Sequence, residues 1–146
     1  MTGAEPLVAH VTETGASAYA VSISVSGYAI TGDEPVASGG GNLGPAPFDL
    51  LLAALGECTA MTVRWYARQQ KWPLTAVEVK LSHQKISAAD LPEGAGKSGM
   101  IDVFEKQVIV HGDALTEQQK NKLLDVADKC PVQRTLQSGA VIRTHA

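Results

Sequence analysis

The stretch "FDLLLAALGECTA", Phe48 to Ala60, constrains this chain more than any other, because it carries only two charges, Asp49 and Glu57, in thirteen residues. Its apolar positions fall on nearly every side of a helix. A helix that is apolar all round must be covered all round. One small sheet and one further helix cannot do that, so the stretch calls for a second copy of the chain. Proline is tolerated at the first helical position, which places the start near Pro47. Pro73 pushes the residue before it out of the helical region, which places the end near Lys71. Into this segment the chain sets Cys58, one of only two cysteines.

The rest of the chain reads as short strands around that helix. Residues 7–31 alternate small, β-branched and polar side chains with breaks at Gly15 and Gly27, which fits two or three antiparallel strands. From Ala76 to Ile86 the alternation is strict, with Val77, Val79, Leu81 and His83 on one face. Ile101 to His111 is a second such strand, joined to the first across the polar loop "SAADLPEGAGKSG". Thr116 with Gln119 three residues on is a capping box, opening a helix whose apolar positions Leu123, Leu124 and Ala127 lead to Cys130. Pro131 permits a short second helical turn to about Leu136, and "AVIRT" closes the chain as a strand. The order βββ-α-ββ-α-β is α+β, in one domain spanning 1–146.

At 146 residues with a net charge of −3 the chain has no general field for nucleic acid or an anionic membrane. The amino terminus lacks the basic and apolar regions of a secretory signal, and no apolar run is long enough to span a bilayer. These features point to a cytoplasmic protein. In that compartment two cysteines are reduced structural thiols or a redox pair rather than a permanent staple.

The remaining motifs are weak. "GGGNLG", Gly39 to Gly44, has the spacing of a dinucleotide fingerprint, but Pro45 and Pro47 intervene and the position for an acidic ribose ligand falls around Arg64. It reads instead as a flexible lead-in to the helix. His10, His83, His111 and His145 are scattered singly without metal-ligand spacing, so no metal is expected. No G-x-S-x-G is present. Cys58 in its apolar helix has the surroundings of a small buried hydrophobe. Cys130, before a proline at a helix start, lies where free backbone N–H groups lower a thiol pKa.

"GPAPFDLLLAALGECTAMTVRWYARQ", followed some seventy residues after its cysteine by "CPVQRTL", resembles the OsmC/Ohr superfamily of osmotically inducible and organic hydroperoxide resistance proteins. The resemblance implies an intertwined α+β homodimer with antiparallel sheets around a long buried central helix. Its active sites would lie at the subunit interface. It also implies a thiol peroxidase with no bound cofactor. Cys58 as thiolate would attack an organic hydroperoxide and become a sulfenic acid, and Cys130 would condense with it to a disulfide. An external dithiol reductant, lipoyl or other, would reopen that bond.

The sequence departs from the pattern at two points. Ohr-like members carry a glutamate after the proline at the helix start and an arginine on the amino-terminal segment, whereas here Phe48 and Asp49 stand at the helix start. Residues 1–63 contain no Lys or Arg. Burial raises a thiol pKa unless a cation or good donors reverse it, and no residue three or four positions from Cys58 is cationic. Arg134, one turn beyond Cys130, is the candidate thiolate-stabilising group, with His10 and Arg64 as donors across a dimer interface. Two other readings are a non-peroxidatic OsmC-like protein in redox sensing or hydrophobic-ligand binding, and a structural dimeric module with inert thiols.

Overall fold

A computed structural model describes residues 5–146. The described chain resolves into two compact units, one ending at Leu51 and the other running from Leu52 to Ala146. The class is α+β, with antiparallel sheets and three α-helices.

The first unit is a three-stranded meander, β1 (Ala9–Glu13), β2 (Val21–Val25) and β3 (Tyr28–Gly32). Ser26 and Gly27 both have positive φ, 50° and 81°, the backbone of a tight turn whose twist matches the strands it joins. Val11, Ile23 and Ile30 lie opposite one another in the ladder and form one apolar row. The glycine-rich segment after β3 is wrapped around a buried carboxylate. Asp33 is buried, and its carboxylate accepts from Ser17 Oγ at 2.9 Å and from the backbone N–H groups of Glu34, Gly41 and Leu43 at 2.8, 3.1 and 3.2 Å. Burial alone would raise this carboxyl, but the donors outweigh it and hold the group below the usual carboxylate range. Two of the glycines are required by close approach. A Cβ on Gly40 would lie 2.0 Å from the Glu34 carbonyl oxygen, and one on Gly44 would lie 1.9 Å from that of Thr31. The glycines thus allow close backbone packing around a carboxylate.

Helix α1 runs from Pro47 to Gln70, within a residue of the expected end. The Asp49 carboxylate accepts from the Ala46 N–H at 2.9 Å, so this acidic residue caps its own helix. Lys71 follows in the left-handed region at φ 57°, where the chain leaves the helix ahead of Pro73.

In the second unit, Leu55, Thr59, Val63 and Ala67 are the buried residues of α1, one every fourth position. Val63 and Ala67 join Leu74, Leu115, Leu123 and Ala127 in the core, with Val77, Val108 and Val110 packed against it. Those three valines come from the inward face of a hairpin, β4 (Ala76–Ser87) paired with β5 (Met100–His111) over their full lengths. The capping box forms at Thr116, and α2 spans Glu117–Ala127. Leu123 is fully buried while Leu124 is 42% exposed; Val126 takes the buried position instead. Helix α3 spans Pro131–Ser138.

One expectation differs. The final strand is not formed within the chain: residues 139–146 have no regular structure, and Val141 and Ile142 are exposed. A strand exists only when its backbone groups meet a neighbouring edge, and a β-branched run without one has no ladder to join. Within one chain the burial of α1 is confined to its stripe, and Met61 and Trp65 are 61% and 62% exposed. Among the described residues, no helix is long and apolar enough to cross a membrane.

Candidate functional site

The four-residue spacing that buries Leu55, Thr59 and Val63 turns the neighbouring positions of α1 toward one edge of the core. Ala54, Cys58, Met61, Thr62 and Trp65 line an open cleft of about 560 Å³ there, with Glu57 beside them. The facing wall is the corner between α2 and α3, through Lys129, Pro131 and Val132. Cys58 is partly accessible at this cleft, whereas Cys130 is completely buried behind it. The sulfurs lie within hydrogen-bonding reach of each other, and both thiols are free.

Cys130 is the N-cap of α3. Its backbone is extended, its carbonyl accepts the first helical bond from Arg134 N–H at 3.1 Å, and its sulfur accepts from Gln133 N–H at 3.5 Å. Pro131 at the first helical position has no N–H to leave unpaired. Serine or aspartate commonly fills this position, so a thiolate here takes the place of a hydroxyl or carboxylate cap. The Val132 N–H lies within reach of both sulfurs.

These surroundings divide the pair unequally. For Cys58, burial pushes the thiol up, hydrogen bonding with Cys130 raises it further, and donors at Val132 and Thr62 do not reverse this. For Cys130, burial also pushes up, but the Cys58 thiol, the Gln133 N–H, Thr59 and the Val132 N–H together pull the value below that of a free cysteine. Of the two sulfurs, Cys130 is therefore the one whose surroundings favour the thiolate, and Cys58 the one whose surroundings favour the thiol. The physical reason is the helix terminus, whose free N–H groups are aimed at Cys130.

Arg134 is exposed on α3 and does not line the cleft. Arg64 spends its guanidinium on the carbonyls of Leu74 and Thr75, at 2.7 and 3.1 Å. His10 lies on β1, its ring 3.4 Å from the Thr12 hydroxyl. A cation that sequence reasoning missed is Lys106 on β5, whose ammonium donates to Thr59 Oγ1 at 3.1 Å, to the Ala127 carbonyl at 2.8 Å and to Gln133 Oε1 at 2.5 Å. A signal for it exists in the sequence: Phe104, Lys106, Val108 and Val110 alternate, which puts a lysine in the inward-facing series. Among the described residues, no group of three or more His, Cys, Asp and Glu side chains is placed to hold a metal ion.

A family model described as OsmC-like protein matches residues 39–145. No curated protein matches the sequence. Several solved structures share the fold. An organic hydroperoxide resistance protein from Elizabethkingia anophelis, with thiocyanate bound, is 16% identical with a TM-score of 0.68, covering 95% of this chain and 93% of its own. An OsmC-like protein of unknown function from Vibrio cholerae is 17% identical with a TM-score of 0.66, covering 90% and 94%. The organic hydroperoxide resistance protein of Bacillus subtilis is 15% identical with a TM-score of 0.59, covering 92% and 93%.

Proposed function

The chain belongs to the OsmC-like protein family of the OsmC/Ohr superfamily, and from that premise we propose that it reduces organic hydroperoxides with Cys58 and Cys130 as a redox pair. The observation that carries the reading is the juxtaposition at the cleft: an accessible thiol on an apolar wall, close to a buried thiol at a helix N-terminus. The family match runs from residue 39 to 145, which supports treating 1–146 as one OsmC-like domain.

The chemistry follows from where the charge rests. An alkyl hydroperoxide enters against Ala54, Met61 and Trp65 with its terminal oxygen toward Cys58. Cys130 takes the Cys58 proton as the Cys58 sulfur attacks that oxygen, the O–O bond breaks, and Cys58 becomes a sulfenic acid. The departing alkoxide recovers the proton from Cys130 and leaves as the alcohol. The Cys130 thiolate then attacks the Cys58 sulfur, forming the disulfide and expelling hydroxide. The two sulfurs supply the two electrons that reduce the peroxide. An external dithiol reductant, lipoyl or other, in a cytoplasmic setting, returns them by thiol–disulfide exchange.

The test is consumption of cumene or t-butyl hydroperoxide by the reduced protein with a dithiol present. Sustained loss above the dithiol alone is the expected result. Reversible uptake of an apolar ligand at the cleft without turnover would replace the reading with ligand binding, and neither would leave a structural role.

A homodimer is part of the proposal. Met61 and Trp65 on α1, Val141 and Ile142 near the end, and Val11 and Tyr28 on the meander are all more than half exposed, apolar side chains that a second copy of the chain would cover. Light scattering is expected to give the mass of two chains. A single 15.3 kDa species at micromolar concentration would overturn the dimer.

A further inference from the structure

Lys106 stands in β5 opposite Leu81, between Phe104 and Val108 on a face that is otherwise largely apolar. A lysine costs free energy in such a place unless its ammonium is well used. All three of its donors are engaged. Each acceptor adjoins the thiol pair: Thr59 follows Cys58 in α1, Ala127 ends α2 three residues before Cys130, and Gln133 is the residue whose N–H reaches the Cys130 sulfur. Among the described residues no carboxylate forms an ion pair with Lys106.

We propose that Lys106 is the cation of this site, a positioning residue that holds Cys130 as the thiolate through the Thr59 hydroxyl and the Gln133 side chain. The proposal rests on reading Cys58 and Cys130 as a redox pair. Two routes carry the effect. Thr59 Oγ1 accepts from Lys106, so its one proton is left for donation to the Leu55 carbonyl, 2.8 Å away, or to the Cys130 sulfur. A hydroxyl that accepts from a cation is a stronger donor. Gln133 is held at both ends, its Oε1 by Lys106 and its Nε2 by the Asp128 carboxylate at 3.5 Å. Its backbone N–H is thereby kept on the sulfur it caps. The other charged groups around the pair are Glu57 and Lys129 at the cleft and Asp128 behind Gln133.

The test is the ultraviolet absorbance of the thiolate in the reduced full chain, titrated over pH, which needs neither substrate nor access to the buried sulfur. The wild type is expected to form its first thiolate below the ordinary cysteine range. Lys106→Met is expected to move that step up by about one pH unit or more, and Thr59→Val to move it in the same direction. Thr59→Ser, which keeps the hydroxyl, is expected to stay near the wild type. An unmoved first step in a folded Lys106→Met protein overturns the proposal. If that variant does not fold, Thr59→Val decides, because it retains the lysine and its bonds to Ala127 and Gln133. Peroxide turnover is scored separately. A shifted titration without turnover in the wild type overturns the peroxidase reading and leaves the Lys106 assignment standing; turnover with unshifted variants does the opposite.

Discussion

Replacing Cys58 with serine is expected to bring hydroperoxide loss down to that of the dithiol alone, a fall of at least about a thousandfold. The serine hydroxyl is nearly isosteric, so the cleft walls at Met61 and Trp65 stay in place while the nucleophile disappears. Cys130→Ser should behave differently. Cys58 remains at the cleft, so one equivalent of alcohol is still released per chain and the intact mass gains oxygen at Cys58. Without added dithiol the reaction then stops at the sulfenic acid, because no second sulfur of the chain can form the disulfide, and any further turnover requires the external dithiol to attack Cys58 directly. The first turnover should also slow and gain a steeper dependence on pH, since serine supplies no thiolate to take the Cys58 proton and burial keeps that thiol above its ordinary value. Full activity in Cys58→Ser would move the chemistry to another part of the molecule. Unimpaired multiple turnover in Cys130→Ser would remove the disulfide step.

The largest effect on stability is expected at Leu123. Its side chain is completely buried among Val63, Ala67, Leu74, Leu115 and Ala127, drawn from α1, α2 and the segments that join them to the hairpin. Leu123→Ala is therefore expected to destabilise the fold by about 2–5 kcal/mol, a large part of the roughly 5–15 kcal/mol available to a domain. Leu124→Ala, one residue on and 42% exposed, is expected to stay under about 1 kcal/mol. Urea unfolding at one fixed protein concentration measures both. Equal losses at the two positions would show that the buried face of α2 has been assigned wrongly.

That contrast also shows what the sequence reveals and what it does not. The capping box at Thr116, the end of α1 before Pro73 and the alternation of β4 are local: each is settled by residues within a turn or a strand of one another. Leu123 and Leu124 are both apolar, and only the packing of α2 against α1 decides which is buried. The strand expected near the end of the chain has the right residues but no edge to pair with. The thiol pair was legible from two cysteines and a following proline, through the family they resemble. The setting of the pair is only partly so: the helix terminus beside Cys130 is local, whereas the contacts of Lys106 come from distant parts of the chain. Lys106 reaches Thr59 across 47 positions, Gln133 across 27 and Ala127 across 21. An inward lysine in an apolar strand is visible in the sequence. Its partners are not, so Arg134, close to Cys130 along the chain, attracts attention first.

The carboxylate of Asp33 makes the meander and its glycine segment sensitive to strong acid. Its folded value lies below its unfolded one, so its contribution to stability is complete above the unfolded carboxyl pKa and is lost as pH falls through the lower, folded value. Across the neutral range the segment feels nothing. Under strong acid, opening it takes up a proton, and Ser17 and the N–H groups of Glu34, Gly41 and Leu43 lose a charged acceptor together. Protonation of this one side chain is thus expected to weaken the loop at low pH, since the glycines bring several backbone donors close around the same carboxylate.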